Sequence, residues 1–404
     1  MSALSNFSQE GLSPRGTWDG IGRFEVYDLA GNVKEWCLNE RETENRCLCG
    51  GAWNEPEYKL SFTDSASPWS REETFGFRCV QYGKNTPEDL ALAPLPQLPP
   101  QLHNLKRQPI EVLTDRGLRF ANENVPFDAE VTQTEAPNPS PDFRHEVIRI
   151  TAGYDNERFD IHLLVPQKGE PPFETVVWSP GMGVWARKEK FPSALEAQDN
   201  HYIAPLARSG RIVCQPIYKG TFERSKGIAI LKQFRKNPIQ ARADFIKVIK
   251  DLSRTVDYLV TRRDVDPDRL VYFGLSLSAS QGPIGLVAEP EFDAAVLLSG
   301  GYTSGWAKLP ELHGYQYVPH VEIPVLMING SQDGIFDAET SQKPMSEDFV
   351  NDRSHRELLE GAGHNPPPAR VFEVMDPWLK SIFNAEQTSG DGAEAQEQKQ
   401  LQKD

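Results

Sequence analysis

Long apolar runs are missing from this chain. None of its 404 residues falls in a stretch approaching the ~20 consecutive apolar residues of a membrane-spanning helix. The opening residues, Met1 to Gly20, have neither a basic start nor an apolar run, so no signal peptide is expected there. Basic charge is short as well. Lys and Arg number 43 against 58 Asp and Glu, a formal net charge of −15. A nucleic-acid partner needs a basic surface, and none is expected here. Cysteine is scarce and its count is odd: Cys37, Cys47, Cys49, Cys79 and Cys214. Their spacing fits no disulfide framework. Cys47-Leu48-Cys49, with one residue between the thiols, is a poor zinc pair. Reduced thiols in a cytoplasmic protein are the expectation, with no membrane partner. The oligomeric state is not legible.

What is present is a serine on a turn. Leu270-Val271-Tyr272-Phe273 is an apolar run that reads as a short buried strand. It stops at Gly274. Leu275-Ser276-Leu277-Ser278-Ala279-Ser280 follows, and a helix is expected to begin near Ser278. A serine on a sharp strand-to-helix turn has its hydroxyl lifted clear of the sheet, beside a helix N-terminus with free N–H groups. The pattern for such a turn is G-x-S-x-G, and here its last position is Ser278. Alone, the fragment reads equally well as a turn with a capping serine.

A nucleophilic serine needs a base, and the base needs an orienting acid. Three further strands are expected downstream. Ala294 to Leu298 leads into Ser299-Gly300-Gly301. Pro324 to Gly330 ends in Ser331-Gln332-Asp333-Gly334. Arg356 to Glu360 runs into Gly361-Ala362-Gly363-His364. Asp333 and His364 therefore each follow a strand, where parallel sheets place functional groups. The order Ser276, Asp333, His364 is that of a hydrolase triad. Asp333 is also ordinary turn chemistry before Gly334. Asp337 is a rival acid, and His355 and His320 are rival bases that do not follow a strand.

The oxyanion needs two donors. One is the N–H after the nucleophile, at Leu277. The other is expected on Pro180-Gly181-Met182-Gly183, which follows the strand Thr175 to Ser179. It is placed at Met182, with Gly181 and Gly183 as alternatives. These stretches resemble α/β-hydrolases of the acetyl-xylan-esterase and prolyl-oligopeptidase-like type, over about Asp142 to Phe383. The resemblance is carried by Val176-Val177-Trp178-Ser179-Pro180-Gly181, Tyr272-Phe273-Gly274-Leu275-Ser276, Ala295 to Gly301, and Asn329-Gly330 through Asp333. It implies an α/β fold with a mostly parallel central sheet. It also implies hydrolysis of a small-molecule carboxylic ester through an acyl-enzyme on Ser276, with no cofactor in catalysis. A peptidase of the prolyl-oligopeptidase kind and a catalytically silent binding protein are the alternatives.

The N-terminal part reads as short aromatic strands punctuated by glycine. Gly31-Asn32-Val33-Lys34-Glu35-Trp36, Gly50-Gly51-Ala52-Trp53 and Gly76-Phe77-Arg78-Cys79 stand in order. They resemble the C-terminal part of the formylglycine-generating-enzyme, or sulfatase-modifying-factor, fold. Only about 60 residues are covered, so residues 1–85 look like a remnant of such a domain. The family's chemistry depends on a cysteine pair soon after G-G-x-W. Asn54 to Leu60 holds no cysteine, so formylglycine generation is not expected. The resemblance also implies a structural calcium site at Asp28, Gly31, Val33 and Glu35. All four would offer oxygen, which suits a hard cation; read from the residues alone, the stretch is a solvated loop.

Residues 86–141 are a proline-rich linker and strap, 142–384 the hydrolase domain, and 385–404 a tail of Gln, Glu, Gly and Ala expected to be disordered. Lys219 to Gln240 is basic and irregular, and sits where hydrolases carry a cap. Trp185, Tyr218, Phe222 and Trp306 are candidate pocket aromatics. Two separate domains predict that hydrolase chemistry survives removal of residues 1–85.

Overall fold

The computed structural model describes residues 4–401 except 8–9, 23–24, 42–44, 56–58, 61, 81–99, 101, 103–104, 116–121, 123, 134–140, 187–190, 192–199, 226–236 and 305–308. The proline-rich stretch of the linker, half of the cap (226–236) and Trp306 lie outside the described residues. Two compact units emerge. One joins residues 1–99 with 329–341 and 358–366. The other holds 100–328, 342–357 and 367–404.

The first unit contains a four-stranded sheet. Its strands are β1 (Lys34–Glu40), β2 (Arg46–Cys49), β3 (Asp64–Ala66) and β4 (Phe75–Gly76), in the order β3-β2-β1-β4. β2 pairs antiparallel with β1 and with β3, setting Cys49 opposite Glu35 and Leu48 opposite Asp64. The apolar content is small: Cys47, Leu48 and Ala52 are buried, and Trp36 packs edge-on against Phe75 at 5.5 Å. Charge fills the remaining space. Lys34 Nζ reaches Glu55 and Asp64 at 2.8 and 3.0 Å, and Lys59 Nζ reaches Asp64 at 2.7 Å. Burial pushes the Asp64 carboxyl up, but Lys59 and Lys34 outweigh it and hold it at about 2.

The larger sheet lies mostly in the second unit. Its strands are β5 (Glu130–Gln133), β6 (Phe143–Thr151), β7 (Arg158–Pro166), β8 (Phe173–Ser179), β9 (Ile212–Pro216), β10 (Val265–Leu275), β11 (Ala294–Leu298), β12 (Val325–Gly330) and β13 (His355–Leu359). The order is β13-β12-β11-β10-β8-β9-β7-β6-β5. Pairing is parallel from β9 through β8, β10 and β11 to β12. It is antiparallel from β9 through β7 and β6 to β5. β9, β11 and β12 are buried along their whole length, as two-faced parallel strands must be.

The helices are α1 (Ile110–Asp115), α2 (Asn200–Arg208), α3 (Pro238–Leu259), α4 (Leu277–Ala288), α5 (Gly314–Tyr317), α6 (Lys343–Glu347) and α7 (Pro368–Leu401). α3 begins at an Asn237 cap whose side chain accepts from the Gln240 N–H, with Pro238 next. Phe245, Val248, Leu252, Val256 and Leu259 form its buried stripe.

Three details depart from expectation. Asp264 to Asp268 reads as a turn, yet β10 already begins at Val265, which is buried and pairs with Phe173 across an irregular register. β5 adds an edge strand in a stretch without apolar alternation. α7 continues to Leu401 through the stretch whose composition argues for disorder; Ala, Glu, Gln and Lys are strong helix formers. Among the described residues, no helix is long and apolar enough to cross a membrane.

Candidate active site

Ser276 stands between β10 and α4 as the residue capping the helix, with φ 55° and ψ −106°. A left-handed φ on a non-glycine residue costs on the order of 1–3 kcal/mol and persists only where the surroundings enforce it. Here they do. The Ser276 N–H donates to the Leu298 carbonyl at 2.8 Å, and its own carbonyl accepts from the Ala279 and Ser280 N–H groups. The Leu277 N–H lies in the first turn, among the N–H groups without an intrahelical partner. Gly274 is required by contact: a Cβ there would fall 2.5 Å from the Ser278 carbonyl oxygen.

The motif's departure at Ser278 has a structural use. Its hydroxyl donates to the Pro180 carbonyl at 2.6 Å, and its carbonyl accepts from Tyr272 Oη at 2.8 Å. The serine thus ties the helix start to the loop expected to supply the second oxyanion donor. That loop passes close to the nucleophile. A Cβ on Gly181 would be 3.4 Å from Ser276 Cβ, and a 3₁₀ turn, Met182–Ala186, follows at once. A cavity of about 40 Å³ borders this region, lined by Trp185, Tyr218, Tyr272, Leu277 and Ser278 among others. Of the candidate pocket aromatics, Trp185 and Tyr218 line it; Phe222 is buried in the hydrophobic core.

Asp333 and His364 are described within the first unit. His364 Nδ1 and Asp333 Oδ2 are hydrogen-bonded at 2.9 Å, and both residues are buried. The carboxylate is fixed on its other side, where Oδ1 accepts from the Ile335 and Phe336 N–H groups at 2.8 and 3.1 Å. The two loops are joined by backbone bonds, Ser331 N–H to Leu359 O and Gln332 N–H to Ala362 O. The Phe336 ring lies 5.9 Å from the imidazole.

The rivals are occupied elsewhere. Asp337 Oδ1 accepts from the Glu339 and Thr340 N–H groups, capping the turn that follows. His355 is exposed and pairs with Glu357 at 3.3 Å. His320 ends a short 3₁₀ turn, Val318–His320.

The four N-terminal positions implied for calcium present a different arrangement. Arg78 Nε lies 2.7 and 2.6 Å from the two Glu35 oxygens, and its Nη2 donates to the Asp28 carbonyl at 3.0 Å. The guanidinium supplies the positive charge that Glu35 faces, so Asp28, Gly31, Val33 and Glu35 do not fit as an open oxygen cage. Among the described residues, no group of three or more His, Cys, Asp or Glu is placed to hold a metal ion.

Residues 6–82 match the family model described as a sulfatase-modifying factor enzyme 1-like domain. Among solved structures, acetyl xylan esterase 1 from Thermoanaerobacterium sp. JW/SL YS485 superposes with a TM-score of 0.52 at 14% identity, covering 69% of this chain and 95% of that one. An acetyl xylan esterase from Paenibacillus sp. R4 gives 0.49 at 15% identity, covering 68% and 99%. A glucuronoyl esterase from Solibacter usitatus gives 0.48 at 12%, covering 68% and 91%. No curated protein sequence matches the chain. The chain carries an α/β-hydrolase fold preceded by a sulfatase-modifying-factor-like segment.

Proposed function

We propose that this protein is a serine hydrolase that cleaves carboxylic esters of small molecules, with Ser276, His364 and Asp333 as its triad. The observation that carries the reading is the backbone of Ser276, held at φ 55° between β10 and α4. A strained turn is retained where it presents a side chain for chemistry. The buried Asp333–His364 hydrogen bond supports it, because a base needs its ring held in one tautomer.

In this reading Asp333 accepts the Nδ1 proton of His364, which leaves Nε2 as the base. Nε2 takes the proton from Ser276 Oγ as that oxygen attacks the ester carbonyl. Charge developing on the carbonyl oxygen is met by the Leu277 N–H and by Met182 on the neighbouring loop. The imidazolium returns its proton to the departing alcohol. Water, activated by the same base, then releases the acid. No cofactor enters the scheme.

The test is hydrolysis of nitrophenyl esters of graded acyl length by the full chain, with Ser276→Ala as control. Turnover of short-chain esters that disappears in the variant is the expected result. Turnover that persists in Ser276→Ala, or cleavage of peptide amides with none of esters, would overturn it.

A further inference from the structure

A second cavity, of about 260 Å³, opens where β6 and β7 meet the chain leaving β9. Its lining includes Arg149, Arg158 and Arg224 with Asp160, Glu223 and Phe159. The ester chemistry proposed above uses none of them. The volume is just under the ~300 Å³ at which small-molecule sites begin. The sheet sets its place. The Ile217 N–H donates to the Asp160 carbonyl at 2.9 Å, so Asp160 stands at the carboxyl end of β9. From β10 the sheet order runs through β8 to β9, β7 and β6. At ~4.8 Å per strand, the cavity and the Ser276 turn share one edge of the sheet, roughly 10–20 Å apart.

Arg224 is fixed before any ligand arrives. Its Nη1 donates to the Ile217 carbonyl at 2.7 Å and to Asp251 Oδ2 at 2.6 Å. Its Nη2 donates to Tyr154 Oη at 2.7 Å and to Glu157 Oε2 at 3.2 Å. The guanidinium lies over the Phe159 ring at 5.1 Å. The chain is strained just before it, with Phe222 at φ 45°, and such strain gathers at ligand clamps. Arg149 directs Nε and Nη2 to the two Asp160 oxygens, at 2.7 and 2.9 Å. Arg158 directs Nη2 to the Asp128 and Arg149 carbonyls, at 2.6 and 3.1 Å. A guanidinium has five N–H groups. Among the described residues, those left over are at Arg224 Nε, Arg149 Nη1, and Arg158 Nε and Nη1. Acceptors are fewer. Both Asp160 oxygens are engaged, and Glu223 Oε2 accepts from the Phe191 N–H at 3.3 Å.

A surplus of guanidinium N–H groups selects a ligand that offers oxygen acceptors, and it repels a cation. Charge sets a second limit. Behind the lining, Arg224 and Lys219 face Asp251 and Glu157. Arg149, Arg158, Arg224 and Lys219 are then matched by Asp160, Glu223, Asp251 and Glu157, so a ligand of high charge is not favoured. Arg158 is the least compensated, since its ion pair among the described residues is with exposed Glu130 at 3.9 Å. A planar group with one negative charge fits these guanidinium forks.

We propose that this cavity binds the carboxylate of a small organic acid, held by Arg158, Arg149 and Arg224. The acid is either free or the far end of an ester whose carbonyl lies at Ser276; the second source rests on the esterase reading above.

The experiment titrates the full chain by calorimetry with succinamate, its neutral analogue succinamide and inorganic phosphate, at constant ionic strength. The expected result is one-to-one binding of succinamate with a Kd of roughly 1 mM or below. Arg158→Gln and Arg149→Gln, both on the exposed rim, should weaken it roughly tenfold or more. Lys168→Gln makes the same charge change on an exposed side chain past the other end of β7, and should leave the affinity unchanged. No binding of succinamate, equal affinity in Arg158→Gln, or tighter binding of succinamide or phosphate overturns the proposal. Kinetics then separate the sources. Nitrophenyl monoesters of long dicarboxylic acids are compared with their terminal amides. A lower KM for the acids, lost in Arg158→Gln, assigns the site to the substrate's own acid end; equal KM values beside intact succinamate binding assign it to a free acid. Absence of turnover with every ester means that the esterase reading has failed, and calorimetry alone then decides the cavity.

Discussion

Asp333 gives one carboxylate oxygen to His364 Nδ1, at 2.9 Å, and the other to the backbone of its own turn. The acid is thus held on both sides, and the ring it holds has one nitrogen left for proton transfer. Asp333→Asn presents an amide to the ring and favours the wrong tautomer. Turnover should fall by roughly 10⁴, as on loss of the orienting acid in a serine triad. Asp337→Asn should leave turnover near wild type, because Asp337 caps a turn. Steady-state kinetics of the two variants check this, and an exchange of their effects would move the acid to Asp337.

Much of this site is legible in the sequence because parallel strands announce themselves. Val176 to Ser179, Leu270 to Leu275, Ala294 to Leu298 and Val325 to Gly330 are apolar runs closed by small residues, and a residue after such a run sits at the sheet's carboxyl end. That logic places Ser276, Asp333 and His364. It does not reach Ser278, whose hydroxyl on Pro180 depends on a loop distant in sequence. Nor does it reach the grouping of the Asp333 and His364 loops with residues 1–99, since the Gly334 contact with Asp64 leaves no local pattern.

Ser278 joins the start of α4 to the Pro180 loop. Ser278→Ala keeps the fold and frees that loop. Turnover should drop on the order of tenfold with KM nearly unchanged, less than the 10²–10³ lost when an oxyanion donor is removed outright. A purely structural role would lower the melting temperature and leave kcat intact.

The contact at Gly334 revises the expectation that the hydrolase is independent of the N-terminal segment. Gly334→Val sets a branched side chain against Thr63 O and Asp64, and the loop must shift. The expected result is a fall in kcat of at least tenfold, in a protein that still folds by circular dichroism. Removal of residues 1–85 should cost activity for the same reason. Wild-type kcat in Gly334→Val would show that the contact does not position Asp333.

Glu289 gives stability a pH dependence. It is buried, accepts from Ser253 Oγ at 2.6 Å, and burial raises its carboxyl from 4.5 to about 7. Between those values the native state keeps a proton that the unfolded chain has lost. Its contribution is present below pH 4.5 and lost as pH rises through about 7, on the order of 3 kcal/mol in all. Glu289→Gln stays neutral throughout. Thermal melts should show the variant above wild type at pH 8, with the gap closing by pH 5. A gap independent of pH would mean that Glu289 does not titrate in this window.

The central claim is that Ser276 is a nucleophile, and covalent capture tests it most directly. The full chain is treated with a fluorophosphonate probe, and intact mass and peptide mapping are recorded for wild type and Ser276→Ala. One adduct per chain, on the peptide bearing Ser276 and absent from the variant, is the predicted result. No adduct on wild type, or an adduct that persists in Ser276→Ala, would contradict it.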